Sequence, residues 1–374
     1  MKILHIITGL GDGGAELTLY KICKYDTSNT HIVISLKDKG KYFSLLKNLG
    51  IEVITLNMNF YSVYKVLSLI KKINYFKPDI VQTWLVHADF LGGIASRLAG
   101  FKNIIWNIRY SNIEATGLKF STIFIIKILS WLSYIIPSSI IIVSKRAKKL
   151  YEKKGFDNKK LKYIPNGFDL STFKIKKNKK NYLNNKKRIP IIGNVARYDP
   201  QKDHSNLLKA LSIIRSKNIN FCCILVGSNV DLNNFDLLTK IKKLNLSSHI
   251  KLLGRSDNIS QVMNHLDLHI LSSSYGEGFP NVIAEAMACG TPCVTTDVGD
   301  SALIVGKTGW IVPPKNPNKL SKAIEKALSE IGSKNWDKRC IKSRIKIKEK
   351  FSINKMLKSY NRVWVEVYKQ KKNI

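Results

Sequence analysis

Glu277 and Glu285 lie eight residues apart in SSSYGEGFPNVIAEAMACGTPCVTT, the stretch from Ser272 to Thr296. One acid sits in a Gly-rich loop, and the other falls one to two turns into the helix that follows. Carboxylates so placed accept hydrogen bonds from hydroxyls, which sugars supply. The amides of Phe279, Asn281 and Val282 fall near the helix start, where unpaired N–H groups and the helix dipole favour a phosphate. A ligand combining sugar, diphosphate and ribose fits both halves. The plainer alternative for Glu285 is an ordinary surface helix with the acid facing solvent. A Gly-rich loop is a poor place for a purely structural acid, which favours a functional Glu277.

Two cations, Arg197 and Lys202 in RYDPQKD, follow an apolar run that ends at Ala196. In a strand-end loop they could neutralise a diphosphate without a metal, each charge-assisted bond contributing roughly 1.5 to 3 kcal/mol. No Asp-x-Asp metal motif occurs in either half of the chain. Near the N-terminus, Gly9, Gly11 and Gly14 satisfy G-x-G-x-x-G. That pattern alone suggests a dinucleotide, but no acid closes the next strand where a ribose contact needs one. A glycine loop permitting close approach to some phosphate remains. His87, in QTWLVHADF, and Arg109, in WNIRYSN, each follow a strand-like run and so fall where ligands to a parallel sheet gather.

These residues need elements to position them. Apolar runs at Lys2–Thr8, His31–Leu36, Val53–Leu56, Ile80–Thr83, Ile104–Trp106 and Ile140–Ser144 alternate with helical stretches, notably Val63–Phe76 and Phe90–Ala99. A second series follows, at Ile189–Ala196, Phe221–Val226, Ile250–Leu253, Leu268–Ser274 and Cys293–Thr296. Strands alternating with helices predict doubly wound parallel sheets, whose ligands gather at the strand carboxyl ends. The helix between the last two runs has Pro280 in its first turn and is closed by Gly290 and Pro292. Asn166–Gly167–Phe168–Asp169 reads as a turn, and the Lys/Asn run 174–188 reads as an interdomain linker. From 351 to 367, apolar residues recur at helical spacing, from Ile353 to Val367.

The 374 residues suggest two domains. Lys+Arg of 62 against Asp+Glu of 26 gives +36, which implies an anionic partner: nucleic acid, acidic lipid or phosphorylated substrate. Lys-rich composition beside abundant Asn and Ile accounts for part of this charge. The six cysteines show no zinc-type pairing and suit a reducing compartment. The first apolar run is too short for a secretory signal. Leu118–Ser144 is the most apolar segment, but Lys119, Lys127 and Pro137 interrupt it, so it reads as a buried or surface-lying helix that could dock on an anionic membrane.

Taken together, Gly13–Gly14–Ala15–Glu16, the Asn166–Asp169 segment, Arg197 with Lys202, Glu277–Gly278–Phe279–Pro280–Asn281 with Glu285, and Cys289–Gly290–Thr291–Pro292 resemble a family-4 retaining glycosyltransferase of the GT-B fold, as in bacterial capsule, lipopolysaccharide and O-antigen assembly. The resemblance implies two Rossmann-like α/β domains facing a cleft. These are 1–173 with a crossover helix 356–374, and 189–355, the nucleotide-sugar side, joined by the linker 174–188. It implies a UDP- or GDP-sugar donor, a glycan or polyprenyl-linked acceptor, and no cofactor or metal, the nucleotide sugar being a substrate. Glu285 would then bind ribose, and Glu277 the donor sugar. Gly278 and the amides after it would support sugar and phosphate. Arg197 and Lys202 would stabilise the departing diphosphate, Gly14 would approach it, His87 would contact donor or acceptor, and Arg109 would join His87 as an acceptor-side candidate. The expected location is cytoplasmic, peripheral at the inner face of the plasma membrane. One departure stands out: relatives often carry Gly where this chain has Asp203. The competing readings are a nucleotide-sugar epimerase, a dinucleotide-dependent oxidoreductase, or a basic nucleic-acid-binding protein. No basic and aromatic array supports the last of these.

Overall fold

The computed structural model describes residues 1–37, 39–58, 64–109, 120–175 and 188–370. The expected linker, with its Tyr182, lies mostly outside them. The chain divides into two compact units, Met1–Gly167 with Ile353–Ile374, and Phe168–Ser352. The division falls at Gly167, and Phe168–Ile175 belongs to the second unit rather than ending the first. Arg344 anchors this stretch by donating to the Phe173 and Leu170 carbonyls at 2.6 and 3.3 Å.

In the first unit the strands are β1 (Lys2–Ile7), β2 (Thr30–Ser35), β3 (Glu52–Thr55), β4 (Ile80–Trp84), β5 (Ile104–Ile108), β6 (Ser139–Ile142) and β7 (Leu161–Tyr163), ordered β3-β2-β1-β4-β5-β6-β7. In the second they are β8 (Ile191–Val195), β9 (Cys222–Val226), β10 (Ile250–Leu252), β11 (Leu268–Leu271), β12 (Cys293–Thr296) and β13 (Trp310–Val312), ordered β10-β9-β8-β11-β12-β13. Every pairing among these strands is parallel. The central strands, such as IVQTW and LHIL, are buried along their whole length, as strands covered by helices on both faces must be, and they are mostly apolar with a few buried polar residues such as Gln82 and Thr83. The expected α/β class with two doubly wound sheets is therefore present. β7 and β13 escape a reading of the sequence because three residues each, LKY and WIV, carry too little periodicity.

In both sheets the strand order reverses at one point, between β1 and β4 and between β8 and β11. Helices leave in opposite directions there, opening a crevice at the carboxyl ends. The closing helix, Ile353–Gln370, buries Ile353, Met356, Leu357, Tyr360, Val363, Trp364 and Val367 in the core of the first unit. Asn166–Asp169 is not a turn: Phe168 runs extended, bridges Ser352, and donates its N–H to the Phe351 carbonyl at 2.9 Å. Among the described residues, no helix is long and apolar enough to cross a membrane.

Candidate functional site

In the second unit the loops after β8 and β11 meet. After β8, Pro200–Lys202 forms one turn of 3₁₀ helix, its start capped by Asp199, which accepts from the Gln201 amide at 2.9 Å. Ser272 donates to the Lys202 carbonyl at 2.8 Å, and the Ser274 amide donates to the Gln201 carbonyl at 2.9 Å. The loop that carries Lys202 is thus fixed to the loop that carries Glu277. Lys202 Nζ lies 2.5 Å from Glu277 Oε1, and Ser273 donates to the same oxygen at 2.6 Å. Both charged side chains are largely buried, at 14% and 8% exposure, so the pair sits where unpaired charge would be costly.

Asp203 explains the departure from the usual glycine. It adopts the left-handed conformation, φ 48° and ψ 56°, and its carboxylate caps the helix His204–Ser216 by accepting from the Asn206 amide at 3.0 Å. Asp tolerates this region better than most residues, and the cap offsets part of the strain. Lys202 therefore keeps its direction without glycine beside it.

Arg197 does not join the Lys202–Glu277 contact. It is more than half exposed and donates to Asp199 and Gln201 of its own loop, both at 3.2 Å. Desolvation raises the Asp199 carboxyl, but the Gln201 amide and Arg197 outweigh it and hold the group below its ordinary range. Two glycines let the strand-end loops close up. At Gly299, φ 59°, a Cβ would lie 2.2 Å from the Glu277 carbonyl, and at Gly227, φ 155°, 2.1 Å from the Ala196 carbonyl. The Asp300 amide then reaches the Gly278 carbonyl at 2.9 Å.

The helix runs from Asn281 to Ala288, so Pro280 precedes it as the N-cap instead of lying in the first turn. Asn281 and Val282 open it, half-buried, with Gly278 half-buried just before. Glu285 is buried at 8% exposure, which removes the alternative of an ordinary solvent-facing acid. Phe279 holds the loop from below: its ring packs on Phe168 and Phe351, centroids 6.1 and 5.3 Å away. Only its backbone amide could serve a ligand.

In the first unit, Gly14 is the first residue of the helix Gly14–Tyr25, with Gly13 as its N-cap. The helix after β4 starts at Val86, four residues earlier than expected. Leu85 makes the whole turn by itself at φ 73° and ψ 155°, a strained conformation for a side-chain-bearing residue. His87 therefore sits in the first helical turn, exposed, at the switch point. Desolvation, then the Lys37 charge, lowers its pKa, so the ring is neutral at pH 7. Asp89, which the sequence reading passed over, is fully buried beneath it and accepts from Thr83 at 2.6 Å; burial raises its pKa to about 7.

Arg109 is tied down on several sides. It donates to Asn107 at 3.1 Å, to Asn166 Oδ1, and to the Tyr360 hydroxyl at 2.8 Å, and its guanidinium lies 5.3 Å from the centre of the Trp84 ring. These contacts join β5, the segment after β7 and the closing helix, so an acceptor would meet a cation already engaged. Sequence reasoning gave no role to Ser273, Tyr360 or Gly299, and it named Asn166 only as part of a motif, without its contact to Arg109. The clue for Gly299 was a glycine just past a strand end; the others carry no local signal.

Among the described residues, one group could hold a metal: His5, Cys23 and His31, all buried in the first unit. The Trp84 indole N–H, which can only donate, points at His5 Nδ1 at 3.1 Å. This puts the His5 proton on Nε2, 3.0 Å from His31 Nδ1, and His31 Nε2 lies 3.2 Å from Asp26. The Nδ1 lone pairs of both rings are taken by these N–H donors, so Trp84, His5 and His31 form a hydrogen-bonded chain that does not suit a metal.

Two family models match side by side. Residues 12–172 match "Glycosyltransferase Family 4", and residues 175–345 match "Glycosyl transferases group 1". The chain is 26% identical over 310 residues to the UDP-Gal:α-D-GlcNAc-diphosphoundecaprenol α-1,3-galactosyltransferase of Escherichia coli, covering 80% of this chain and 79% of that protein. It is 25% identical over 347 residues to the capsular polysaccharide biosynthesis glycosyltransferase CapM of Staphylococcus aureus, covering 88% of each. In structure it superposes on Anabaena HepE, crystallised with UDP, with a TM-score of 0.83 at 23% identity over 98% of this chain and 100% of that one. These likenesses do not favour an epimerase, an oxidoreductase or a nucleic-acid-binding protein. With two parallel sheets, loops meeting at the switch points and matches that cover most of its length, the chain belongs to the family-4 glycosyltransferases of the GT-B fold.

Proposed function

We propose that this glycosyltransferase moves a sugar from a nucleoside-diphosphate donor, a UDP-sugar first among candidates, to a polyprenyl-linked or glycan acceptor in surface polysaccharide assembly. The reaction runs with retention, without a metal, at an anionic membrane surface. The observation that carries this reading is the buried Lys202–Glu277 pair with Ser273, held where β8 and β11 diverge. Relatives named for a UDP-galactose donor and a diphosphoundecaprenol acceptor support the substrate classes.

Without ligand, Lys202 is neutralised by Glu277. An arriving diphosphate offers the ammonium a stronger anion, and Glu277 is then free to accept hydroxyls of the donor sugar while Ser273 keeps its carboxylate oriented. Arg197, already half solvated, swings from Asp199 to the phosphates at little cost. The amides opening the Asn281–Ala288 helix add dipole stabilisation, and Glu285 takes the ribose hydroxyls. As the glycosidic bond to phosphate breaks, negative charge grows on the leaving diphosphate, which Lys202 and Arg197 offset. The acceptor hydroxyl attacks from the same face and passes its proton to the departing phosphate, so no protein nucleophile is needed. In the first unit, neutral His87 can offer a hydrogen bond to a hydroxyl of the acceptor.

Calorimetry with UDP, GDP and their sugars in EDTA, on wild type and Glu285→Ala, tests this reading. Micromolar-range binding of one nucleotide class, lost in the variant, supports it. Binding that requires a divalent cation overturns the metal-free step, and failure to bind any nucleotide overturns the function. The anomeric configuration of the product, read by NMR, decides retention.

A further inference from the structure

A recess of about 200 Å³ lies in the second unit, away from the loops that carry Lys202 and Glu277. Lys307 forms one side, in the single 3₁₀ turn Gly306–Thr308 that leads into β13. Asn335, Lys338, Arg339 and Lys342 form the other, on the helix Lys334–Lys350, with Glu330 from the end of the helix before it. Because Lys307 precedes β13, this side of the recess belongs to the amino ends of the parallel strands, whereas Lys202 and Glu277 follow the carboxyl ends of β8 and β11. The recess is therefore not the crevice where ligands of a doubly wound sheet gather. Its volume falls below the roughly 300 to 1,000 Å³ of sites for drug-sized molecules, so it suits something smaller.

Four of the lining residues are cations and one is an acid. The acid is already engaged. Arg339 donates to Glu330 Oε2 from Nε at 3.0 Å and from Nη2 at 2.8 Å, and its guanidinium lies 4.1 Å from the centre of the Trp310 ring. That leaves Lys307, Lys338 and Lys342, all exposed, with no ion-pair or hydrogen-bond partner among the described residues. Lys338 and Lys342 are four residues apart, so they rise from one side of the helix and repel each other. The helix itself is held: Trp336, Ser343 and Ile347 are buried, and Arg344 donates to the Phe173 carbonyl at 2.6 Å. A lysine-rich composition puts many charges in water, but it does not by itself set three around one recess whose acid is taken. A multivalent anion relieves that repulsion, and lysine meets a phosphate as a point charge without needing a fixed fork.

We infer that Lys307, Lys338 and Lys342 form a second anion site, which takes a compact multivalent phosphate such as a diphosphate or a small phosphate ester. Asn335 adds amide N–H donors beside the three ammonium groups. A carboxylate would balance only one of the three charges. A nucleic-acid strand would need a longer track of cations with open aromatic faces for its bases. Here the Trp310 ring is taken up by Arg339 and by Trp336, whose ring centroid is 6.3 Å away. The inference stands apart from the sugar-transfer reading, since none of its residues belongs to the loops after β8 and β11.

Calorimetry with pyrophosphate as the probe tests it, on the full chain at low salt, with UDP in excess so that the crevice is filled. Wild type is expected to bind pyrophosphate, and inorganic phosphate more weakly. Lys338→Glu/Lys342→Glu should weaken pyrophosphate binding by about tenfold or more. Lys355→Glu/Lys358→Glu, on exposed lysines of the closing helix in the other unit, makes the same change in net charge and should leave binding unchanged. Lys307→Ala reaches the recess from its other side and should weaken binding several-fold, which keeps the test decisive if the helix variant fails to fold. A wild type that binds no pyrophosphate overturns the inference, as does equal binding by wild type and a folded Lys338→Glu/Lys342→Glu. An equal loss in both double variants also overturns it, because binding would then follow the overall charge of the chain and not the recess. The comparison between variants holds whatever the crevice binds, so a wild type that binds pyrophosphate through these lysines but no UDP loses only the proposed function.

Discussion

Each unit presents a cation at its strand carboxyl ends, and the two cations are held in different ways. Arg109 of the first unit has neutral partners: two asparagine oxygens, a tyrosine hydroxyl and an indole face. Its direction is fixed by these neutral groups, and Glu16 acts on its charge without an ion pair between them among the described residues. Lys202 of the second unit is cancelled by Glu277, the acid that the proposed mechanism turns toward the donor sugar. A charge held by neutral groups is a permanent feature of the field around it. A charge held by an opposite charge is a switch, because a stronger anion displaces the partner. This difference suits a donor that must be bound and then released as a diphosphate on the Lys202 side.

The largest effect should come from breaking the switch. Lys202→Ala removes a partner of the leaving group and strands a buried carboxylate. Turnover should fall on the order of 10²- to 10³-fold, and the second unit should lose about 3 to 5 kcal/mol. Adding Glu277→Gln should restore much of the stability and none of the activity; denaturant titration beside steady-state rates would reveal it, and full additivity would refute the coupling.

In the first unit, Arg109→Lys keeps the charge but cannot span Asn166, Tyr360 and Asn107 at once. A loss of about 1 to 3 kcal/mol is expected, with nucleotide affinity unchanged. Impaired nucleotide binding with normal stability would mean that Arg109 touches the donor.

Acid should also separate the units. Burial lowers His269 to about 3 and His204, with help from Lys202, to about 4. Both must remain neutral in the fold while the unfolded chain takes up protons near pH 6.5. Their stabilisation is present above that value and is lost as pH falls from about 6.5 toward 4, by up to about 1.4 kcal/mol per pH unit each. The first unit balances the same trend. His5, lowered by burial and then by His31, behaves likewise, but Asp89, raised to about 7, binds its proton in the fold before the unfolded chain does and gains stability over that range. Hydrogen exchange from pH 7 to pH 5 should therefore loosen residues 168–352 first. Loosening of the first unit ahead of the second would contradict this balance.

The smallest effect concerns Asp203. Asp203→Gly should be neutral within about 1 kcal/mol, since relief of the left-handed strain offsets the lost cap. Asp203→Ala loses the cap and keeps the strain, so it should cost about 1 to 2 kcal/mol more. Paired melts of the two variants would show the order.

What could be read from the chain was local. Apolar runs alternating with helical stretches point to parallel sheets because a strand buried on both faces has to be mostly apolar. The closing helix was readable because its stripe repeats every three or four residues, and Glu277 and Glu285 because a Gly-rich loop and a helix start lie within one short stretch. The division at Gly167, the early start of the helix at Val86 and the strands β7 and β13 were not readable: single-residue turns and three-residue strands leave no period. The decisive contacts were beyond any local reading. Lys202 and Glu277 are separated by 75 residues, and Arg109 and Tyr360 by 251. Sequence fixes which residues can carry charge and where the backbone can bend, while partners this far apart are chosen only when the sheets form and bring their strand ends together.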